Sequence, residues 1–538
     1  MISARGQKHA GKVTPFWTAF DRIIGDAFCH ETNPGGIVNM AISNNSLLEP
    51  ELLAFFGANL RLQPVDLTYG TSLFGSHRLF ASLCRHFNLG HTFAPVTPVR
   101  PEHLITGPGC GPLLDQLAEH LAEPGDGILV AAPYYNGYDA DLACRAQVQC
   151  VAVYSSDDDG TGAQNFEGVS ALRNFAATKD KWESEHAGQT VRAVLVCSPH
   201  NPVGRCYDRE ALISYGRFAE EHNLHLIFDE IFALSTYSSK PHCTSHTSDP
   251  SFHSALSIDW LREADCDPAR IHIIWSASKD FGINGLRVGT IVSQANDELL
   301  RALKATAKLY MVSSPADALF CALVDNQCVY DDFIRTNQAR MAQAYSVIAR
   351  WCEFHEISMK QCTAGHFVLV DLTRFLPDHV DGEPLADLPA REGALWTSFL
   401  SHAVCLTPGS NYHCTRYGTF RLTFTLRRIA LLEGLSRVEK ALNLPSWPHR
   451  DEALTEIEQS METIAAPENM PTVTQAQLGV SQNVVAEPIR ALDVAASTAR
   501  ARAGRRDYVD SLRSMLKDGG GSEVLLNCGM GMNTPACA

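Results

Sequence analysis

Six short apolar runs with amphipathic stretches between them occupy the middle of this chain, and they restrict its fold more than any other feature. They are Gly127–Pro133 (GILVAAP), Gln147–Val153 (QVQCVAV), Val191–Cys197 (VRAVLVC), His225–Phe228 (HLIF), Ile271–Ser276 (IHIIWS) and Gly289–Ser293 (GTIVS). Nearly all are continuously apolar and rich in Val and Ile, the pattern of strands covered on both faces of a parallel sheet. The stretches between carry helical stripes: Leu113, Leu114, Leu117 and Leu121 in Pro112–Leu121, and Leu212, Ile213 and Phe218 in Arg209–Asn223. Strand–helix alternation predicts an α/β fold with a mostly parallel sheet.

After about residue 300 the texture changes. Leu299–Leu309 and Asp331–Phe354 read as long helices, and Gly365–Leu372 (GHFVLVDL) and Thr419–Thr425 (TFRLTFT) alternate as strands of a smaller α+β unit. Arg428–Leu442 reads as the last helix. Beyond it the composition shifts to Glu, Ala, Thr, Gln and Pro, so 446–538 is expected to be mostly disordered, with short helices read near 482–516. The Arg500, Arg502, Arg505 and Arg506 cluster reads as a solvated helix face before it reads as an anion site.

Composition removes several function classes. The 538 residues leave room for two or three domains. Lys+Arg 44 against Asp+Glu 60 gives a net charge of -16, which repels nucleic acid. No run of about 18 apolar residues is present to span a bilayer. The N-terminal stretch MISARGQKHAGKVTPFW has basic residues without an apolar core behind them, so no secretory signal is expected. The 17 cysteines are scattered with no C-x-x-C, indicating neither a zinc site nor a disulfide framework. The expectation is a cytoplasmic protein with no metal, no nucleic-acid partner and no membrane partner.

Chemistry concentrates after the strands. Ser276–Gly289 (SASKDFGINGLRVG) follows an apolar run directly, so Lys279 emerges at a strand's carboxyl end, where open α/β sheets place ligands. A desolvated lysine there forms a Schiff base with an aldehyde, and Ser276, Ser278 and Arg287 suit a phosphate. Taken alone, Lys279 reads as an exposed loop lysine. Asp229 ends another run and reads either as the partner of a protonated pyridine nitrogen or as a capping, salt-bridged aspartate. Ser198–Gly204 (SPHNPVG) is a turn that holds Asn201 outward. Gly107–Gly111 (GPGCG) precedes the Leu-striped helix, so the backbone of Gly109 and Cys110 offers N–H groups to an anion. Tyr135 offers an aromatic face or is ordinary core. Arg421 lies inside an apolar strand, where a substrate carboxylate or a structural ion pair must balance it.

In this order, the segments resemble the fold-type I, pyridoxal-phosphate-dependent class I/II aminotransferases, and within them the 1-aminocyclopropane-1-carboxylate synthase-like branch. The matching stretches are Asn33–Leu47, Tyr69-Gly70, Gly107–Gly111, Asp126–Leu142, Ser198–Gly204, Asp229–Phe232, Ser276–Gly289 and Pro408–Phe424, over roughly residues 15–445. The resemblance implies a seven-stranded, mostly parallel sheet in a large domain (69–310), a C-terminal small domain (311–445), and an arm with part of the small domain (1–68). It implies that Lys279 carries pyridoxal 5′-phosphate as a Schiff base and moves the substrate's proton. Asp229 would pair with the pyridinium nitrogen, Asn201 with the phenolic oxygen, and Tyr135 would stack on the ring. Ser276, Ser278, Arg287, Gly109 and Cys110 would hold the phosphate, and Arg421 the substrate α-carboxylate. Tyr69 would reach the neighbouring subunit's phosphate, because active sites in this family are shared across a homodimer.

Two positions depart from the family pattern. Phe232 stands where the family usually has a tyrosine that donates to the phenolic oxygen, so a shifted pH optimum is expected. Asn44 stands where the synthases carry a glutamate that helps fix S-adenosylmethionine. A neutral amide offers a sulfonium no comparable charge pairing, so cyclopropane formation is not expected. The leading expectation is an aminotransferase acting between an α-amino acid and a 2-oxo acid. A carbon–sulfur or γ-eliminating lyase is the alternative, and a non-catalytic scaffold of the same fold is the third reading.

Overall fold

The apolar runs become strands because each buries side chains on both faces. The computed structural model describes residues 2–11, 20–21, 23–90, 92–155, 163–238, 252–380 and 382–453. Its large sheet has seven strands: β1 (Leu104–Gly107), β2 (Gly127–Ala131), β3 (Gln149–Val153), β4 (Val191–Cys197), β5 (His225–Asp229), β6 (Ile271–Ser276) and β7 (Gly289–Val292). Their order is β1-β7-β6-β5-β4-β2-β3. β3, β2, β4, β5 and β6 run parallel, while β7 is antiparallel to both of its neighbours. Leu129, Val194, Leu226, Phe228, Ile273 and Trp275 pack on one face. Ile128, Val130, Ala193, Leu195, Ile227 and Ile274 pack on the other. Each buried Val, Leu, Ile or Phe side chain among them contributes about 1.5–3 kcal/mol.

Most strands fall where the apolar runs predict. β2 stops at Ala131, two residues short of Pro133, which has no N–H for the ladder. β3 starts at Gln149 because Gln147 has φ 56°, outside the extended region. β1 was not anticipated: only Leu104 and Ile105 of its four residues are strongly apolar, and its place comes from pairing with β7.

A second sheet lies above the carboxyl edge of the first. It contains β8 (Phe367–Asp371), β9 (Thr407–Pro408) and β10 (Thr419–Thr423), with β10 central and antiparallel to both. The N-terminal segment joins this unit, since Val38–Asn39 pairs with Val404–Cys405 and the Thr423 amide donates to the Met40 carbonyl at 2.9 Å. Val38, Met40, Val368, Val370, Phe420 and Leu422 share its core.

The core of the large sheet also takes in side chains from before residue 69 and after residue 310. Leu52 and Phe55 of Glu49–Asn59, and Phe320 and Leu323 of Ser314–Asp325, bury in the large-sheet core. Those two helices carry apolar stripes that the helices and strands of the large sheet cover. Trp447 and Ala453, inside the segment read as tail, are buried with the second core. The tail beyond residue 453, including the arginine cluster, lies outside the described residues. Among the described residues, no helix is long and apolar enough to cross a membrane.

Candidate active site

Three adjacent parallel strands end side by side. Cys197 closes β4, Asp229 closes β5 and Ser276 closes β6, and the Ser198 amide donates to the Asp229 carbonyl at 3.0 Å. Lys279 lies one turn beyond β6. Its amine donates to the backbone carbonyl of Ser43 at 2.6 Å, reaching across to the N-terminal segment. Burial, then the charges of Arg421 and Arg287, pulls its pKa down from 10.5 to about 8. At neutral pH a fraction of this amine is free to act as a base.

Asp229 is buried beneath the same space. Its Oδ2 accepts the Tyr138 hydroxyl at 2.7 Å and its Oδ1 accepts the Ile231 amide at 3.2 Å. Burial raises the carboxyl to about 6 despite these donors. A cation within reach would return it to the ionised form, as a protonated ring nitrogen does.

An anion-binding corner closes one end. The helix Cys110–Leu121 starts at Gly109 without a side-chain cap, leaving its first N–H groups for a ligand. Gly109 has φ 102°, and a Cβ built on it meets Arg287 Nη2 at 2.5 Å, so only glycine leaves the guanidinium room. The Ser276 and Ser278 hydroxyls lie 2.7 Å apart, and Arg287 Nη1 approaches Ser278 Oγ at 3.4 Å. Asp141 stands behind Gly111, its carboxyl raised to about 7 by burial, then Asp229 and Asp115. The raised value lowers its charge beside a bound anion.

Arg421 covers the opposite end from β10. Its Nη1 donates to Asn201 Oδ1 at 2.9 Å, its Nη2 donates to the Ala41 carbonyl, and the rings of Tyr412 and Phe367 flank it at 4.6 and 4.7 Å. Its Nε is buried with no partner, and it carries charge with no carboxylate paired to it among the ion pairs of the described residues. A ligand carboxylate would complete it.

The Tyr135 ring is partly exposed and meets Tyr138 edge-on at 5.3 Å. Tyr69 is 77% exposed and stands apart from the cluster within this chain. Asn44 Oδ1 accepts from Asn284 at 3.0 Å. Phe232 is buried edge-on to His366 and Phe367, with ring centres 5.1 and 5.5 Å away.

The residues fit the expected cofactor. An uncapped helix N-terminus with a guanidinium and two hydroxyls suits its phosphate, the Asp229 carboxylate its ring nitrogen, and the Lys279 amine its aldehyde. Tyr138, Ser43 and His366 were missed from sequence. Tyr138 follows Tyr135 by three residues at a helix start, a spacing that would have linked it to the site. Ser43 and His366 are 323 residues apart, and no local signal joins them.

Residues 39–438 match the family described as aminotransferase class I and II. The probable aminotransferase gliI of Aspergillus fumigatus is 30% identical over 411 residues, spanning 76% of this chain and 89% of that protein. The 1-aminocyclopropane-1-carboxylate synthase 1 of Cucurbita pepo is 29% identical over 473 residues, covering 82% of this chain and 88% of its own length. A single mutant of Thermus thermophilus aspartate aminotransferase superposes with a TM-score of 0.58 at 18% identity, over 82% of this chain and 99% of that one, a likeness of fold.

Proposed function

The chain belongs to the class I and II aminotransferases, a pyridoxal-phosphate-dependent family, and we propose that it exchanges an amino group between an α-amino acid and a 2-oxo acid through Lys279. The observation that carries this reading is the placement at one sheet edge of Lys279, the buried Asp229 at the neighbouring strand end, the uncapped helix start at Gly109 with Arg287 against it, and Arg421 with its Nε unpartnered. Bound there, the cofactor supplies a ring that withdraws the electron pair left when the substrate Cα loses its proton. Lys279 Nζ takes that proton and returns it, which its lowered pKa permits near neutrality. Asp229 holds the ring nitrogen, with Tyr138 fixing the carboxylate. Asn201 orients the ring and Tyr135 stacks on it. Gly109, Cys110, Ser276, Ser278 and Arg287 hold the phosphate. Arg421 grips the substrate α-carboxylate and so aims Cα at Lys279.

Members of the family are typically dimeric. The run Leu67, Tyr69, Leu73 and Phe74 is exposed at 81%, 77%, 47% and 43%. An exposed apolar run supports a homodimer in which Tyr69 serves the neighbouring site. We place the enzyme in the cytoplasm, which its acidic composition and scattered cysteines, without a disulfide framework, suit.

The test is a half-reaction. Purified protein and Lys279→Ala are mixed with single amino acids in the absence of any 2-oxo acid, and absorbance and products are followed. An aminotransferase releases one 2-oxo acid per site and stops. Catalytic accumulation of ammonia or thiol supports the lyase alternative, which the synthase relatives keep in view. Absence of a cofactor band after supplying pyridoxal phosphate sinks both.

A further inference from the structure

Behind Lys279 runs a buried chain of polar side chains that no role above uses. The Ser43 hydroxyl lies 3.2 Å from His366 Nδ1, and His366 Nε2 lies 3.0 Å from Ser235 Oγ. Ser235 in turn donates to Asp280 Oδ1 at 2.7 Å. Asp280 Oδ2 accepts the Trp275 indole N–H at 3.2 Å, and the Asp280 carbonyl accepts from Asn337 at 3.3 Å. Ser43, Ser235, Asp280 and His366 are all within a few per cent of fully buried. Such a network is stable only if every member is satisfied.

The proton directions follow from the inventory of donors. Burial raises the Asp280 carboxyl to about 7, and once ionised it takes the single Ser235 proton, so Ser235 Oγ accepts from His366 Nε2–H. A neutral imidazole then has only an acceptor left at Nδ1, and that atom takes the Ser43 proton. Burial and the Lys279 charge hold His366 well below its ordinary pKa, which agrees with a neutral ring. With Asp280 ionised, the chain points one way, from Ser43 to Asp280. Its two ends touch neighbouring residues in sequence: the Ser43 carbonyl accepts from Lys279, and Asp280 follows Lys279 directly.

His366 sits where three separately placed segments meet. Its backbone carbonyl accepts from Phe424 at 2.9 Å, next to β10, and its ring abuts Phe232 in the turn after β5. The Gly365 amide before it donates to the Ser235 carbonyl at 2.8 Å. One imidazole thus ties the N-terminal segment, the turn after β5 and the lysine turn together.

We propose that His366 is a positioning residue, which through the Ser43 hydroxyl holds the Ser43 carbonyl against the Lys279 amine and so sets the direction and protonation of the catalytic lysine. The proposal rests on Lys279 being that lysine. A carbonyl acceptor favours the ammonium form, and a hydrogen bond of this kind shifts a pKa by about one unit. The other groups acting on the amine are Arg421, Arg287, Cys110 and Asp229. None of them is hydrogen-bonded to His366, while Asp280, raised to about 7 by burial, joins it through Ser235, so the Ser43→Ala variant, which leaves the Ser235–Asp280 end intact, separates the two influences.

The experiment reads the amine without turnover. Cofactor-free enzyme is treated with limiting amine-acylating reagent from pH 6 to 10, and labelling of Lys279 is followed by mass spectrometry. His366→Phe keeps the ring volume and removes both nitrogens, and it is expected to lower the apparent pKa of Lys279 by about half a unit or more. His366→Asn keeps an acceptor near the Nδ1 position and is expected to recover most of the shift. Ser43→Ala reproduces the His366→Phe shift, and the double variant Ser43→Ala/His366→Phe adds nothing to it, as expected for one pathway. In the loaded enzyme, the pH profile of kcat/KM moves in the same direction. If His366→Phe fails to fold, the Ser43→Ala shift decides alone. A Lys279 titration unchanged in His366→Phe or Ser43→Ala, with only thermal stability lowered, overturns the proposal. Failure of the half-reaction described above would instead overturn the functional reading while leaving this titration readable.

Discussion

The two sheets contribute to the site in different ways. The carboxyl edge of the seven-stranded sheet supplies Asp229, Ser276, Ser278 and Lys279 from strands buried on both faces, each residue at or just after a strand end. The upper layer supplies Arg421 from within an antiparallel strand and the Ser43 carbonyl from an irregular segment held by contacts far away in sequence. In the first, local sequence fixes the position of a functional group. In the second, tertiary contacts do. The lower edge is thereby suited to hold a cofactor in one place, and the upper layer to close over it with a cation for a carboxylate.

The largest effect should fall on the lower edge. Lys279→Ala removes the base and the aldehyde's partner together, and kcat for 2-oxo acid release should drop by about 10⁴-fold or more. Single-turnover measurement after cofactor loading checks it. A loss below about tenfold would mean the chemistry does not belong to this edge at all.

Arg421→Ala asks the same question of the upper layer. It removes a buried cation whose Nε has no protein partner, and a desolvated charge contact of this kind is worth about 2–5 kcal/mol. The expected result is a fall of about 10²–10³ in kcat/KM, carried chiefly by KM, with cofactor affinity unchanged. Equal losses in cofactor affinity and kcat/KM would erase the distinction between the two layers.

What the sequence disclosed follows the same division. Val191–Cys197 and Ile271–Ser276 were read with the observed bounds, because strands covered on both faces show as unbroken apolar runs. Asp229 and Lys279 were found as polar residues ending such runs. β1 was not, since its four residues become a strand only against β7. Helix Ser314–Asp325 was not read at all, and a stripe such as Phe320 and Leu323 shows that a face is buried, but not against what. Arg421 stood out as a charge inside an apolar strand. His366 did not: a histidine near the start of a run read as a strand is unremarkable until Ser43 and Ser235 are seen on its two nitrogens.

A smaller effect tests the cradle. In Gly109→Ala the new methyl group meets the Arg287 guanidinium at 2.5 Å, in a backbone with φ 102°. Arg287 or the turn must shift, so the affinity for pyridoxal phosphate should fall by about tenfold, at about 1.4 kcal/mol. Fluorescence titration of the cofactor-free protein measures this. A neutral outcome would mean that the helix N-terminus and the two serines hold the anion without Arg287.

The smallest effect distinguishes the two layers by their pH dependence. Lys279 titrates near pH 8 in the folded chain and near 10.5 when unfolded. Between those values the unfolded chain holds a proton that the folded chain lacks, so stability rises with pH. Below pH 8 both states hold it, and the folded state bears the whole cost of a desolvated ammonium. Lys279→Met in the cofactor-free protein should therefore be more stable than the parent at pH 7, by about 1 kcal/mol once the partial exposure of the lysine is allowed for. That advantage should shrink steadily from pH 8 and vanish above about 10.5. Arg421→Met makes the contrast, because a guanidinium keeps its proton throughout this range and its replacement should shift stability by the same amount at pH 7 and pH 10. Urea unfolding of both variants against the parent provides the measurement. Parallel curves for Lys279→Met would mean that the amine is no more desolvated than a surface lysine, and the lower edge would lose the property that separates it from the layer above.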